Sequence, residues 1–195
     1  GGGVKGIAYV GALRELHHAG LLSGIQRVAG TSVGSLLAGM ICAGYSVDQI
    51  ENLLKHHFDL KKFKIGWNPL RIFKYFGLYS GSYIFDFIHS YLIESPKNLP
   101  PNVTFRQMKE AGCKDLFVFA CDLNLHTIQE FSPFKTPEVV VAEAIRASMS
   151  IPLFFRAWQF RNSNPNNHIF VDGGIAFNYP LGFFDNERFA PAPDF

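Results

Sequence analysis

Gly30 to Gly34 read G-T-S-V-G, the pattern of a serine seated on a sharp strand-to-helix turn, where flanking side chains would collide with neighbouring backbone. A helix starting there sets its positive dipole end beside Ser32 and favours developing negative charge. The same residues also fit a plain helix N-cap serine. Upstream, Gly1 to Gly6 read G-G-G-V-K-G, and three readings compete. A dinucleotide fingerprint needs an acidic residue about twenty positions on, where Ser23, Gly24, Ile25 and Gln26 stand instead. Three glycines are also an ordinary cloning remnant. As an oxyanion hole, backbone free of side chains lets N–H groups converge on a tetrahedral oxyanion. Asp172, in V-D-G-G after an apolar run, is either delivered at a strand end, where active-site groups of α/β folds collect, or part of a simple Asp-Gly turn. A serine nucleophile usually wants an imidazole base. Of the histidines, His17, His18, His56, His57 and His89 fall on predicted helices, and only His126 and His168 lie near strand ends.

The elements that must hold these residues follow from the hydrophobic pattern. Ile7, Val10, Leu13, Leu16 and Ala19 recur at helical spacing up to Gly20, so a glycine-rich loop feeds a helix. Ile25 to Ala29 is a short strand candidate, and Ser35 to Ala43 resumes as a close-packed helix. Ser46 and Gln49 form a capping-box signature ahead of Val47, Ile50, Leu53, Leu54 and Phe58. Ser82 to Leu92 reads as a helix, and Pro96, Pro100 and Pro101 mark a connecting loop. L-F-V-F-A-C, Leu116 to Cys121, is a strand buried on both faces. Thr136, Pro137 and Glu138 predict a helix start with proline at its first position. Leu153 to Phe160 and His168 to Val171 are the last strand candidates. Strands alternating with helices predict an α/β layered fold.

With 195 residues, 48% of them hydrophobic and 17% charged, the chain can bury one core and is not intrinsically disordered. A net charge of +2 gives no field suited to nucleic acid. Cys42, Cys113 and Cys121 offer neither a disulfide framework nor metal-ligand spacing, which is compatible with a reducing compartment. Twenty Phe with 7 Tyr and 2 Trp exceed what one core of this size needs, which points part of the load toward lipid or an apolar substrate. The uncharged stretch Val28 to Val47 is broken by glycine, serine and threonine, so a buried strand, turn and helix fit it better than a membrane span. No signal peptide pattern opens the sequence. From Asp59 to Tyr79 the periodicity breaks into a loop-like stretch, where Lys61, Lys62, Lys64, Arg71 and Lys74 interleave with Phe63, Trp67, Phe73, Tyr75 and Phe76. That mixture suits either an anionic lipid interface or an ordinary solvated loop with aromatic anchors.

Taken in order, G-G-G-V-K-G, G-T-S-V-G, T-F-R-Q-M, L-F-V-F-A-C-D-L-N, A-I-R-A-S-M-S-I-P-L-F-F and V-D-G-G-I-A-F-N-Y-P resemble the patatin-like phospholipase family over essentially the whole chain. The resemblance implies a three-layer α/β/α sandwich with a mainly parallel central sheet, forming a single catalytic domain over residues 1–195. It implies Ser32 as nucleophile on an elbow bounded by Gly30 and Gly34, and Asp172 as general base of a Ser-Asp dyad without histidine. The oxyanion loop then falls on Gly1, Gly2 and Gly3, with Lys5 and Gly6 completing the motif. Neither metal nor organic cofactor is implied. The expected partner is a phospholipid membrane surface, and some members of the family are switched on by an activating host protein. The family also places an apolar strand directly before the glycine loop, so the resemblance implies that this chain is an excerpt lacking that strand and any flanking domains, with A-P-A-P-D-F as a cut or linker.

Two other readings stay open on the residues. A Ser-His-Asp esterase would use Ser32, Asp122 and His168 in the chain order of α/β-hydrolases. A non-catalytic lipid- or partner-binding module would keep the fold alone.

Overall fold

The computed structural model describes residues 1–64, 66–160, 167–185 and 188–189; the 190–195 tail lies outside them. Along the chain run α1 (Ala8–His18), β1 (Arg27–Thr31), α2 (Val33–Cys42), α3 (Val47–Asn52), α4 (Arg71–Tyr75), β2 (Gly77–Tyr79), α5 (Ser82–Ile93), α6 (Phe105–Glu110), β3 (Asp115–Asp122), β4 (Thr127–Phe131), α7 (Val141–Ser148), β5 (Leu153–Phe155) and β6 (Phe170–Asp172). The fold is α/β, as the alternation predicts.

The apolar run Leu116 to Cys121 forms most of β3, and the sheet is organised around it. On one edge, β1 runs parallel to β3 from Arg27↔Asp115 to Thr31↔Phe119. Where β1 stops, β6 takes up the same edge from the opposite direction, with Asp172 opposite Ala120 and Phe170 opposite Asp122. β4 pairs antiparallel on the other edge. Among the described residues the central sheet is therefore mixed rather than mainly parallel. β2 and β5 pair parallel in a separate two-stranded sheet.

Alternation along β3 sends its side chains to two faces. Leu116, Val118 and Ala120 join the main core, beside α2, most of which is buried, and α7, all of which is. Phe117 and Phe119 point the other way, into a ring cluster with Phe134, Phe177, Phe183, Phe184 and Phe189. Much of the aromatic excess is thus spent covering the second sheet face, where each buried phenyl group contributes about 1.5–3 kcal/mol.

Two local expectations need correction. The helix expected from Pro137 begins only at Val141. The residues before it form a turn closed by the Val139 N–H on the Thr136 carbonyl, and the carbonyls of Pro137 and Val139 accept N–H bonds from Arg106 and Phe105, which satisfies the open N-terminus of α6. The strand expected over Leu153 to Phe160 is confined to β5, with a single bridge from Trp158 to Phe170 beyond it. The capping box of α3 forms as predicted, and Thr104 with Gln107 builds a second one on α6. No helix among the described residues is long and apolar enough to cross a membrane.

Candidate active site

The turn at Ser32 brings β1 sharply into α2. A side-chain carbon at Gly30 would stand 2.2 Å from the Gly34 carbonyl oxygen, so only glycine lets α2 fold back so closely on β1. Ser32 itself holds φ 56° and ψ −133°, a conformation that costs a non-glycine residue on the order of 1–3 kcal/mol and persists only where its surroundings enforce it. The enforcement is visible. The Ser32 N–H donates to Ser148 Oγ at 2.8 Å, and that hydroxyl donates onward to the Phe119 carbonyl at 2.6 Å. The Ser32 carbonyl accepts from both the N–H (2.8 Å) and the hydroxyl (2.6 Å) of Ser35. Gly30→Ala is accordingly expected to destabilise the protein by about 3 kcal/mol, because backbone rather than a flexible side chain must yield; thermal unfolding beside the parent checks it.

Asp172 ends β6 and meets Ser32 because β1 and β6 converge head-on along one edge of β3. The Ser32 hydroxyl donates to Asp172 Oδ2 at 2.5 Å, and Asp172 Oδ1 accepts the Gly174 N–H at 2.7 Å. Its own backbone N–H donates to the Ser150 carbonyl at 2.9 Å. Both residues are buried, with 6% of Ser32 and 5% of Asp172 exposed. Burial pushes the Asp172 carboxyl above the usual carboxylate range, opposed by its bonds from Ser32 and Gly174.

The glycine loop lies against this pair. Gly3–Ile7 forms a 3₁₀ turn running straight into α1, and Gly3 takes φ 54°, which a glycine adopts without strain. Lys5 closes the first bond of the turn onto the Gly2 carbonyl, so the N–H groups of Gly3 and Val4, ahead of it, have no acceptor within the turn. Gly3, Val4 and Gly6 line the same cavity as Ser32. Gly6 packs on Val33 of the elbow, and Gly34 abuts Gly1. Gly1 instead faces a second groove of about 340 Å³ alongside β1, with its carbonyl held by the Tyr9 hydroxyl at 2.6 Å.

From Ser32 a cavity of about 400 Å³ opens between Leu54, Phe58, Phe63, Met149, Phe154 and Phe155. Its walls are apolar and its polar groups gather at one end, the layout of a site for a ligand with one reactive head and a greasy body. His168 stands apart from Ser32, with Nδ1 lying 2.7 Å from Asp122 Oδ2; the hydroxyl of Ser32 is committed to Asp172. His126 sits in the turn between β3 and β4. No group of metal-ligating side chains occurs among the described residues, and all three cysteines are free. Sequence reasoning missed Val4, which lines the cavity beside Ser32 and whose N–H has no acceptor within the turn. It also missed Ser148, although the A-S pair of A-I-R-A-S-M contained it.

An α/β fold with a serine elbow facing a strand-end aspartate and a glycine loop is the class this geometry defines. The chain belongs to the patatin-like phospholipase family, whose profile matches residues 1–185. An uncharacterized protein of Acanthamoeba polyphaga mimivirus is 31% identical over 195 residues, covering 96% of this chain and 60% of that protein. The "Probable lipid hydrolase 463L" of invertebrate iridescent virus 6 is 26% identical over 93% of this chain and 60% of its own length. The chain thus spans 60% of each of these relatives. In fold it is similar to VipD from Legionella pneumophila, with a TM-score of 0.70 at 18% identity over 92% of this chain and 46% of VipD.

Proposed function

We propose that this chain is the catalytic domain of a phospholipase A-type lipid acyl hydrolase working through a Ser32–Asp172 dyad. The observation that carries the reading is the 2.5 Å bond to a buried Asp172 from the hydroxyl of Ser32, which lines an apolar cavity. A short bond to a carboxylate is among the stronger hydrogen bonds, and it aims the serine proton at a base.

Ser32 Oγ attacks the ester carbonyl carbon of a phospholipid while its proton passes to Asp172 Oδ2. The carbonyl oxygen becomes an oxyanion, held by the N–H groups of Gly3 and Val4 and by the dipole of α2. Collapse breaks the ester bond, and the lysolipid leaves as an alcohol with the proton returned by Asp172. Water then attacks the acyl-Ser32 ester, giving its proton to Asp172, and Ser32 leaves as the hydroxyl with the free fatty acid as product. The acyl chain lies in the cavity, where each enclosed methylene contributes about 0.8 kcal/mol. The membrane is thus the source of substrate, and a protein that stabilises the glycine loop would act as an activator.

The test is fatty-acid release from phospholipid vesicles, with covalent fluorophosphonate labelling in parallel, for the parent, Ser32→Ala, Asp172→Asn and His168→Ala. Release and labelling by the parent, lost in Ser32→Ala, with turnover lost in Asp172→Asn and kept in His168→Ala, is the expected pattern. Loss with His168→Ala alone would replace the dyad by a histidine triad. Vesicle binding with neither labelling nor release, with and without a host-cell extract as activator, would make this a binding module.

A further inference from the structure

We propose that the described residues between Lys61 and Tyr79 form a docking surface for anionic phospholipid bilayers that seats the cavity mouth against the lipid; this rests on the acyl hydrolase reading for what enters the cavity, but not for the docking itself. The segment contains a 3₁₀ turn at Leu60–Lys64, then α4 and β2. Its apolar side chains stand in solvent: Phe73 is 86% exposed, Leu70 72% and Trp67 61%. Scattered exposed apolar residues are ordinary, but a contiguous set marks an interaction site.

The patch continues into the active-site cavity. Phe63 is one wall of that cavity, and β2 pairs with β5, which supplies Phe154 and Phe155. At the join, the Leu153 N–H donates to the Phe76 carbonyl at 3.0 Å. Both residues hold left-handed backbone, φ 64° and φ 59°, and both present their side chains to solvent, 63% and 49% exposed. Bulky residues rarely adopt that conformation, and here it leaves two apolar side chains exposed beside the cavity. On the far lip, Val4 of the glycine loop is 71% exposed. Exposed apolar groups therefore run from the mouth beside Ser32 out to Phe73.

Charge selects the partner. Residues 60–79 contain Lys61, Lys62, Lys64, Arg71 and Lys74 and no acid, with Asp59 directly before them. Lys61, Lys62, Lys64 and Lys74 are exposed, and among the described residues none pairs with a carboxylate. Lys62 and Lys74 instead lie over the rings of Tyr83 and Tyr75. An apolar tip within a collar of ammonium groups matches an anionic leaflet, where the rings enter the acyl boundary and each cation strengthens binding roughly fivefold.

The chain carries its own reporter, since Trp67 lies in the patch while the second tryptophan, Trp158, packs against Phe85 and Arg146. The experiment measures Trp67 fluorescence and flotation of the full chain with vesicles of phosphatidylcholine, with or without phosphatidylserine, and with brominated lipid as quencher. Trp67→Phe serves as the control, and hydrolysis of a short, monomeric ester is followed in parallel. Expected are a blue shift and quenching that need phosphatidylserine and vanish in Trp67→Phe, and roughly tenfold weaker binding for Leu70→Ser with Phe73→Ser. Lys61→Glu with Lys62→Glu and Lys64→Glu should lose the phosphatidylserine dependence, and both sets should keep monomeric ester hydrolysis. Binding by the parent that is absent, indifferent to phosphatidylserine or unchanged in both sets overturns the proposal, including where an acidic protein is what the patch retains. Docking as expected without ester hydrolysis by the parent would leave this surface standing and remove the dyad reading.

Discussion

Asp172→Asn is expected to slow phospholipid hydrolysis roughly 10⁴-fold while leaving the fold as stable as the parent or more so. The amide keeps the shape of the carboxylate and can still accept the Gly174 N–H, but it cannot take a proton from Ser32. The stability half follows from burial. Desolvation raises the Asp172 pKa in the folded protein above its ordinary value. Between the unfolded and folded pKa values the native state therefore binds more protons than the unfolded chain, and stability falls as pH rises through that window. Above it the ionised, buried carboxylate is a standing cost that Asn does not carry. Catalysis has the opposite sign, since the base must be ionised to accept the serine proton. Activity should drop as pH falls through the raised pKa of Asp172, over the interval in which Asp172 protonation is stabilising the fold. A pH–rate profile set beside thermal unfolding across the same pH range, for parent and variant, checks both halves. A variant that unfolds well below the parent at neutral pH would contradict this account.

Arg146→Met is expected to destabilise the protein by about 3 kcal/mol, a fall of roughly 6–12 °C in Tm for a chain of this size. Arg146 is fully buried, yet its donors go to oxygens that carry no formal charge. They bond the carbonyls of Gly81 (3.1 Å), Ser80 (3.0 Å) and Arg156 (3.3 Å), and the hydroxyl of Ser150 (2.7 Å). Its guanidinium also lies over the rings of Phe155 and Trp158. Burial lowers its pKa to about 10, so it remains a cation at neutral pH. Methionine fills much of the volume but leaves those buried acceptors without donors, and that penalty outweighs the relief from no longer burying a charge. The bonds reach both the β2–α5 junction and the chain just after β5, and Ser150 in turn receives the Asp172 N–H. Fluorophosphonate labelling of the folded variant should therefore slow as well. Arg146→Lys keeps the charge but not the planar fork, and should fall between the two.

The readable parts of this chain are those where one residue type answers one steric or hydrogen-bonding demand. G-T-S-V-G is legible because the approach of α2 to β1 excludes a side chain at Gly30, and Ser46 with Gln49 is legible because the two must satisfy each other's backbone. The β3 run is legible because burial on both faces removes alternation. Other elements carry no comparable mark. β2 and β5 have three residues each, too short for a period to register. T-I-Q-E-F of β4 is polar where it leaves the turn, and it went unread. Pro137 looks like a helix start by residue type, but its carbonyl belongs to α6, a demand set by a neighbour distant in sequence. The cavity is assembled from the glycine loop, the elbow, the segment after α3, the turn after α7 and β5, so it exists only in the fold. The approach of Asp172 to Ser32 came from the family resemblance, whereas its structural cause, two strands meeting along one edge of a third, depends on register.

That meeting also sets a schedule. The nucleophile and its partner are 140 positions apart, and a ribosome makes the elbow long before it makes β6. An emerging chain that has made only α1, β1 and α2 lacks both the Ser148 hydroxyl that holds the Ser32 N–H and the aspartate that accepts its proton. Folding proceeds from the N-terminal side as the chain is made, so the Ser32–Asp172 pair is completed only when β6 docks on β3.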